Sequence, residues 1–216
     1  MSRAMEDYIA AIWRLTLHGG TASTGAVARR LGVSPASTSY MFRKLAEAGL
    51  VDHKEYAGAT LTPAGERAAA GYIRRHRLTE RFLVDILGIP WDQVDAITDQ
   101  MEHALPDVVV DRIDDVLGHP RTCPHGYPIP DRSGNVDEIA VRPLTELRPG
   151  ETAVVARVAE HDPQLLAHLG DLGLFPRTEV QVLARDRVGD TYRIRVGNRE
   201  HVVGRAVAAA VYVADA

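Results

Sequence analysis

A segment rich in proline and glycine, between residues 118 and 140, divides the chain into two parts with different hydrophobic patterns. It contains Pro120, Pro124, Gly126, Pro128, Pro130 and Gly134. Before it, apolar residues recur every three or four positions, as in amphipathic helices. After it, apolar and polar residues alternate in TAVVARVAE, TEVQVLARD and TYRIRVGN, which is typical of short strands. We therefore predict an α+β chain with helices first, an irregular linker, and a small C-terminal β-barrel that includes one helix from Pro163 to Leu172.

The N-terminal residues up to Thr62 predict three helices followed by a β-hairpin. The apolar pattern suits one helix over residues 3–18 and a short second helix in TGAVARRLG. Ser34 can cap a third helix that has Pro35 in its first position and ends at Gly49. LVDHKEYAGATLT then predicts two strands around a turn at Ala57-Gly58. This order predicts a winged helix-turn-helix, a motif that places its second helix in the major groove of DNA.

Polar side chains that could contact DNA gather on the third helix and around it. Hydroxyl groups can bond phosphates or bases, whereas Arg and Lys neutralise phosphates. The candidate contacts are Arg29, Ser34, Ser37, Thr38, Ser39, Tyr40, Arg43, Lys44, Lys54 and Tyr56. Any one of them could instead cap a helix or lie on a solvated face, but the motif as a whole favours DNA binding.

A stripe of carboxylates and one imidazole follows farther along the chain. Asp99 lies four residues after Asp95, and Glu102 and His103 lie three and four residues after Asp99, which stacks these side chains on one helical face. Like charges crowded on one face destabilise a helix unless a cation neutralises them. Carboxylate and imidazole groups are ligands of Mn, Fe(II), Zn and similar ions, so the stripe predicts a divalent metal site.

Two further groups could add ligands to such a site. His76 and Glu80 are four residues apart in a long helix predicted from Pro63, and Asp7 lies near the start of the first helix. Each also has a simpler interpretation. His76 and Glu80 could be an ordinary helix contact, and a carboxylate in the first turn favours the helix dipole.

Composition and missing motifs exclude several other classes. A net charge of −4 argues against indiscriminate binding to nucleic acid. The single cysteine, Cys123, excludes an intramolecular disulfide and a zinc site built from cysteines. With His119 and His125 it could form a Cys/His metal site, but the loop that holds them is predicted to be structural. No signal peptide or membrane-spanning run is present, so we expect a cytoplasmic protein with no membrane partner. A metallohydrolase is disfavoured because HExxH, G-x-S-x-G and a phosphate-binding glycine loop are missing.

Taken in order, these motifs resemble the DtxR/MntR family of metal-dependent bacterial repressors. The resemblance runs from AMEDYIAAIW through RRHRLTERFL, MEHALPD and PHGYPIP to LRPGETAVVARV and LGDLGLFPRTEVQVLAR, which are similar to the family's SH3-like FeoA module. It implies a winged helix-turn-helix over residues 1–62 and a helical dimerisation and metal-binding domain over 63–118. A linker over 119–140 and an SH3-like domain over 141–216 would follow. The protein would then act without catalysis, as a homodimer on double-stranded operator DNA.

The resemblance also implies two metal sites. Carried over residue by residue, the primary site falls on Asp7, Asp99, Glu102 and His103. The ancillary site falls on His76, Glu80 and Asp95, with two ligands from the SH3-like domain near Glu160 and Gln164. Asp162 or His161 could take the place of Gln164.

The ligand types implied by the resemblance favour manganese. Iron-sensing members carry methionine and cysteine where this chain has Asp7 and Asp99, and oxygen-rich ligand sets suit Mn(II). Ala10 replaces a glutamate that helps some manganese sensors to hold a second ion, so we expect two separate mononuclear sites. The expected function is a Mn(II)-activated repressor of metal homeostasis genes, in which Fe(II), Co(II) or Zn(II) could substitute. An iron(II)-dependent repressor and a metal-independent DNA-binding protein with a vestigial site are the alternatives.

Overall fold

The computed structural model describes residues 1–16, 21–54, 58–137, 139–159 and 162–215. They divide into two compact units, Met1–His76 with Pro130–Val136, and Arg77–Ile129 with Asp137–Ala216. Among the described helices, none combines the length and the apolar character needed to cross a membrane.

The first unit contains the predicted winged helix-turn-helix. Its elements are α1 (Arg3–Thr16), α2 (Thr24–Leu31), α3 (Pro35–Glu47), β1 (Val51–Lys54) and β2 (Gly58–Leu61), and α4 (Pro63–Asp85) begins there. β1 and β2 pair antiparallel, with Val51 opposite Leu61. The predicted end of the first helix and the Ala57 side of the hairpin turn lie outside the described residues.

Local signals in the sequence set the helix boundaries of this unit. Ser23 caps α2 by accepting a hydrogen bond from the Ala26 N–H, and Gly32 ends α2 with a left-handed φ of 65°. Fully buried Ile9, Ile12 and Phe42 form part of the core between the helices and the hairpin. The three helices therefore form one unit because each buries one apolar face against the others.

The helical part of the second unit differs from the prediction near the acidic stripe. It contains the end of α4, then α5 (Val94–Met101), a 3₁₀ turn over Glu102–Ala104, and α6 (Asp107–Val116). The sequence predicts a helix that carries the stripe from Pro90 to an interruption at Pro106, whereas α5 begins four residues later and the chain tightens at Glu102. Pro106 explains the tightening, because proline ends the preceding helix and here precedes the first turn of α6. The stripe is consequently split between a helix and a 3₁₀ turn.

The C-terminal part of the same unit is an antiparallel sheet of six strands. They are β3 (Arg142–Pro143), β4 (Thr152–Val158), β5 (Glu179–Asp186), β6 (Thr191–Val196), β7 (Arg199–Gly204) and β8 (Val211–Ala214), in the order β3-β8-β4-β5-β6-β7. α7 (Pro163–Asp171) lies where the sequence predicts a helix, and α8 (Arg205–Ala209) interrupts EHVVGRAVAAAVYV, which the apolar pattern predicts as strand. The fold class is confirmed: helices come first and a small β-domain follows.

Candidate metal centre and DNA interface

A tight loop in the second unit places Cys123 and His125 beside α4. The Cys123 N–H donates to Tyr127 O at 2.8 Å, and the Gly126 N–H donates to Cys123 O at 2.9 Å. Gly126 has a φ of 91°, and a Cβ at this position would lie 2.1 Å from Ala156 O on β4. Only glycine therefore allows the loop to lie this close to the sheet.

A buried group of three residues offers a carboxylate, a thiol and an imidazole, which are all metal ligands. These residues are Glu80, Cys123 and His125. Their carboxylate oxygen, sulfur and imidazole nitrogen all lie within 4.8 Å of one another. Glu80 and Cys123 are each 1% exposed and His125 is fully buried, and 3.3 Å separates His125 Nδ1 from Glu80 Oε1. Carboxylate, thiolate and imidazole together suit Zn(II), Fe(II) and similar divalent ions. The geometry therefore fits a metal centre inside the second unit.

The protonation of this group follows from its burial and its internal hydrogen bonds. Burial raises the pKa of the Cys123 thiol, and the charge of Glu80 raises it further. Burial alone would lower the pKa of His125, but hydrogen bonds to Cys123 and Glu80 outweigh it and raise that pKa to about 11. Without metal, the thiol and the imidazolium thus keep their protons at neutral pH. A metal ion would displace both, since it binds the deprotonated forms.

His125 is also oriented as a metal ligand would be. Its Nε2–H donates to the carbonyl oxygen of Trp91 at 2.8 Å, so Nδ1 faces Glu80 and Cys123. Its own backbone oxygen accepts from the Val158 N–H of β4 at 3.0 Å. Histidine ligands in proteins almost always donate their second ring N–H to such an acceptor, which fixes the tautomer and the ring orientation.

Sequence reasoning missed this convergence because it considered Cys123 and His125 as a loop apart from Glu80. Their Cys-x-His spacing was visible, but one cysteine gave no pairing signal of the kind that marks zinc sites. The loop lies 43 residues from Glu80 in sequence, and no local periodicity connects positions at that separation. A search for Cys-x-His opposite a helical glutamate would have found it.

The predicted metal ligands fall in both units. In the first unit, the Tyr72 hydroxyl donates to Asp7 Oδ1 at 3.4 Å, and His76 is buried on α4. The predicted primary and ancillary sites each take ligands from both units, so both sites remain predictions.

In the second unit the acidic stripe contains groups of different exposure. Asp99 is exposed on α5 and Asp95 is half-buried, whereas Glu102 is 1% exposed. His103 Nε2 lies 3.8 Å from Glu102 Oε1. The buried carboxylate beside an imidazole is the part of the stripe that differs most from an ordinary solvated face.

The ligands predicted from the SH3-like domain lie at the start of α7. Gln164 is exposed there, and its backbone N–H donates to Asp162 Oδ1 at 3.0 Å. Asp162 serves as the N-cap of α7. Glu160 and His161 lie outside the described residues.

The predicted DNA contacts on α3 separate into capping residues and exposed residues. Ser34 accepts from the Ser37 N–H at 3.1 Å, and buried Thr38 donates its hydroxyl to Ser34 O at 3.2 Å. Tyr40, by contrast, is 58% exposed and lines a shallow groove with Arg43. The other exposed candidates are Arg29, Ser39, Lys44 and Lys54, and the capping residues Ser34 and Ser37 are exposed as well. Tyr56 lies outside the described residues. The exposed set supplies both positive charge and an aromatic hydroxyl for a DNA surface.

Three family models match successive parts of the chain. They are described as "Iron dependent repressor, N-terminal DNA binding domain" over residues 1–59, "Iron dependent repressor, metal binding and dimerisation domain" over 62–131, and "FeoA domain" over 142–215. Together they cover the winged helix-turn-helix, the region of the metal ligands and the C-terminal sheet.

The proteins that are similar to this chain include an iron-dependent repressor and a manganese-dependent repressor. The iron-dependent repressor IdeR of Mycobacterium tuberculosis (strain ATCC 25618 / H37Rv) is 34% identical over 190 residues, 82% of each chain. The HTH-type transcriptional regulator MntR of Lysinibacillus sphaericus (strain C3-41) is 34% identical over 114 residues, which are 53% of this chain and 81% of that protein. A solved structure described as a manganese-dependent transcriptional repressor in complex with manganese is 38% identical. It has a TM-score of 0.91 and covers 98% of this chain and 100% of its own.

Proposed function

Since this chain belongs to the DtxR family of metal-dependent transcriptional repressors, we propose that Mn(II) activates it and that it binds operator DNA as a homodimer. Members of this family are repressors and not enzymes. The observation that carries metal dependence is the buried group of Glu80, Cys123 and His125, which we propose as one metal centre. Charged and polar groups buried in this way are stabilised by a bound ion.

The proposal of manganese depends on a second set of ligands. We propose that Asp99, Glu102 and His103 of the second unit hold an ion together with Asp7 of the first, as the resemblance implies. His76, Asp95, Glu160 and Gln164 remain proposed ancillary ligands. The resemblance adds Glu80 to them, but we propose Glu80 for the centre with Cys123 and His125. Oxygen donors suit Mn(II), which binds weakly to softer ligands. The manganese complex that this chain resembles supports the same ion.

An ion shared by Asp7 and the stripe would connect metal binding to DNA binding. Without metal, repulsion between the carboxylates leaves the DNA-binding domain free to sample many positions. A bound ion restricts that ensemble to arrangements in which two copies reach successive major grooves. Such coupling is typically about 1–3 kcal/mol and reciprocal, so DNA also tightens metal binding.

A homodimer is supported by the exposed apolar side chains of α6. Val108 and Val116 are 67% and 65% exposed, and Val109 is 39% exposed. Contiguous exposed apolar groups mark protein interaction surfaces. The matching family model over residues 62–131 is described as a metal binding and dimerisation domain. We propose that α6 contributes to the contact between two copies.

An iron(II)-dependent repressor is the second candidate, favoured by the thiol of Cys123. A soft sulfur donor raises the affinity of a site for Fe(II) and Zn(II) over Mn(II). The relatives that are 34% identical to this chain also include both the iron-dependent repressor IdeR and the regulator MntR.

The two candidates differ in the DNA affinity that each metal supports at saturation. We would first select an operator from a pool of random duplexes with metal-loaded protein. Fluorescence anisotropy then measures its affinity under anaerobic conditions with saturating Mn(II), Fe(II) or Zn(II). We expect Mn(II) to support an affinity at least equal to that with Fe(II). DNA affinity that rises with Fe(II) and stays at the chelator level with Mn(II) would favour the iron-dependent repressor.

A further inference from the structure

One aromatic side chain, Trp91, joins the candidate metal centre to the C-terminal sheet within the second unit. Its carbonyl oxygen accepts the Nε2–H of His125 at 2.8 Å. The two rings are in a tilted contact, with centroids 5.6 Å apart and planes inclined by 31°. Trp91 therefore contacts His125 through both its backbone and its ring.

The indole also contacts α7 and the turn after it. The Phe175 ring centroid lies 4.8 Å from that of Trp91, at an interplanar angle of 52°. A Cβ on Gly170 would lie 3.1 Å from Trp91 Nε1 and 3.5 Å from Phe175 Cζ. Because α7 has a glycine at this point, its backbone can approach the indole closely.

Removing the Trp91 side chain would leave the His125 acceptor in place but without its packing. The acceptor is a backbone carbonyl in a short turn between Pro90 and Gln93, where the Gln93 N–H donates to Pro90 O at 3.0 Å. The Trp91 ring, packed on Phe175 and α7, holds that turn against the C-terminal domain. The indole therefore fixes where the carbonyl points, and the carbonyl fixes which nitrogen of His125 keeps its proton when a metal ion binds the other.

We propose that Trp91 is a positioning residue for the metal centre of Glu80, Cys123 and His125, and that through Phe175 it makes metal affinity depend on the packing of α7. This inference rests on the proposed metal centre. It assigns no ligand role to Trp91. Partners of metal-bound histidines typically contribute about 10- to 100-fold in metal affinity.

A cobalt titration measures this site alone. Cys123 is the single cysteine of the 216 residues, so a thiolate-to-cobalt charge-transfer band can arise only when Co(II) reaches Cys123. The full chain would be titrated with Co(II) without oxygen, as the wild type and as Trp91→Ala and Trp91→Phe. We expect Trp91→Ala to weaken the affinity read from this band by about 10- to 100-fold. Trp91→Phe, which keeps a ring against Phe175, should restore most of it.

A second readout separates positioning from loss of structure. Nitrogen chemical shifts of labelled histidine report which ring nitrogen of His125 is protonated in the cobalt-free Zn(II) form. We expect zinc on Nδ1 and the proton on Nε2 in the wild type and in Trp91→Phe, and a mixture of forms that bind zinc through Nδ1 or Nε2 in Trp91→Ala. Urea denaturation of the metal-free proteins shows which variants are folded.

A matched pair of variants tests the connection to α7. Phe175→Ala removes the ring that packs on Trp91 and should weaken cobalt binding by about two- to tenfold, the ratio expected for one aromatic pair. Val188→Ala, at a position 98% exposed on the same domain, should leave it unchanged. This pair keeps the inference testable even if Trp91→Ala does not fold.

The outcomes distinguish this inference from the proposed function. A wild type without any thiolate-to-cobalt band would overturn the metal centre itself. A wild-type band together with equal affinities in folded Trp91→Ala and Phe175→Ala would overturn only the positioning role.

Discussion

Gly126→Ala should disable the metal centre without touching a ligand. Gly126 follows His125 directly and has a φ of 91°. An added Cβ would lie 2.1 Å from Ala156 O and 2.7 Å from Arg157 Cα, both backbone atoms of β4. Neither atom can move aside as a flexible side chain would, so the loop must shift away from the sheet.

The size of the effect follows from two contributions. A left-handed backbone at a residue other than glycine costs about 1–3 kcal/mol. Moving the loop also breaks the bond from the Val158 N–H to His125 O, 3.0 Å long in this structure, which contributes roughly 0.5–1.5 kcal/mol. We expect a loss of roughly 2–4 kcal/mol in the free energy of unfolding. Because the shift carries Cys123 and His125 away from Glu80, cobalt affinity should fall at least about tenfold.

Gly118→Ala is the matched control for this prediction. Gly118 also has a positive φ, 70°, and lies in the same unit, but no atom lies within 4 Å of its added Cβ. It should therefore pay only the backbone cost of about 1 kcal/mol and keep its metal affinity. Urea denaturation gives the stabilities, and the thiolate-to-cobalt band gives the affinities. Equal stability losses with unchanged cobalt binding in both variants would refute the reasoning about the loop.

Three other predictions concern protons, DNA and metal preference. Cobalt affinity at Cys123 should increase by about tenfold per pH unit for each proton released between about pH 6 and pH 8, because the pKa of His125 is raised to about 11 and that of Cys123 is raised as well. A pH-independent affinity would contradict this. Arg43→Ala should weaken operator binding by about 1 kcal/mol or more and should lower the number of counterions released on binding by about one. Anisotropy at several salt concentrations measures both. If the affinity and the salt slope are unchanged, Arg43 is not part of the interface. Asp99→Cys should move the preference of DNA activation from Mn(II) towards Fe(II) or Co(II), and an unchanged ranking would remove the selectivity argument.

The sequence predicted those parts of the fold that local patterns determine. Ser34 and Pro35 mark the start of α3, and Pro163 marks the start of α7, where the structure has them. The boundaries near the stripe were less predictable. Helical periodicity alone could not reveal that Pro106 would convert Glu102–Ala104 into a 3₁₀ turn.

The candidate metal centre was only partly predictable for a different reason. Glu80 was a candidate from its spacing on α4, whereas its neighbours Cys123 and His125 come from a loop far along the chain. Their approach depends on Gly126 at the sheet and on Trp91 as acceptor, which are tertiary contacts. Thr38 illustrates the same limit in the first unit. Its position on α3 suits a DNA contact, but the side chain is buried and its hydroxyl donates a hydrogen bond to Ser34 O.

The most direct test of metal-dependent repression is the affinity for the selected operator, measured with saturating Mn(II) and with chelator on the same protein. We expect Mn(II) to increase that affinity by about 5- to 150-fold, the range that typical coupling free energies allow. A variant with both Glu80→Gln and Glu102→Gln should lose most of the increase. Equal operator affinity with Mn(II) and with chelator would contradict the account.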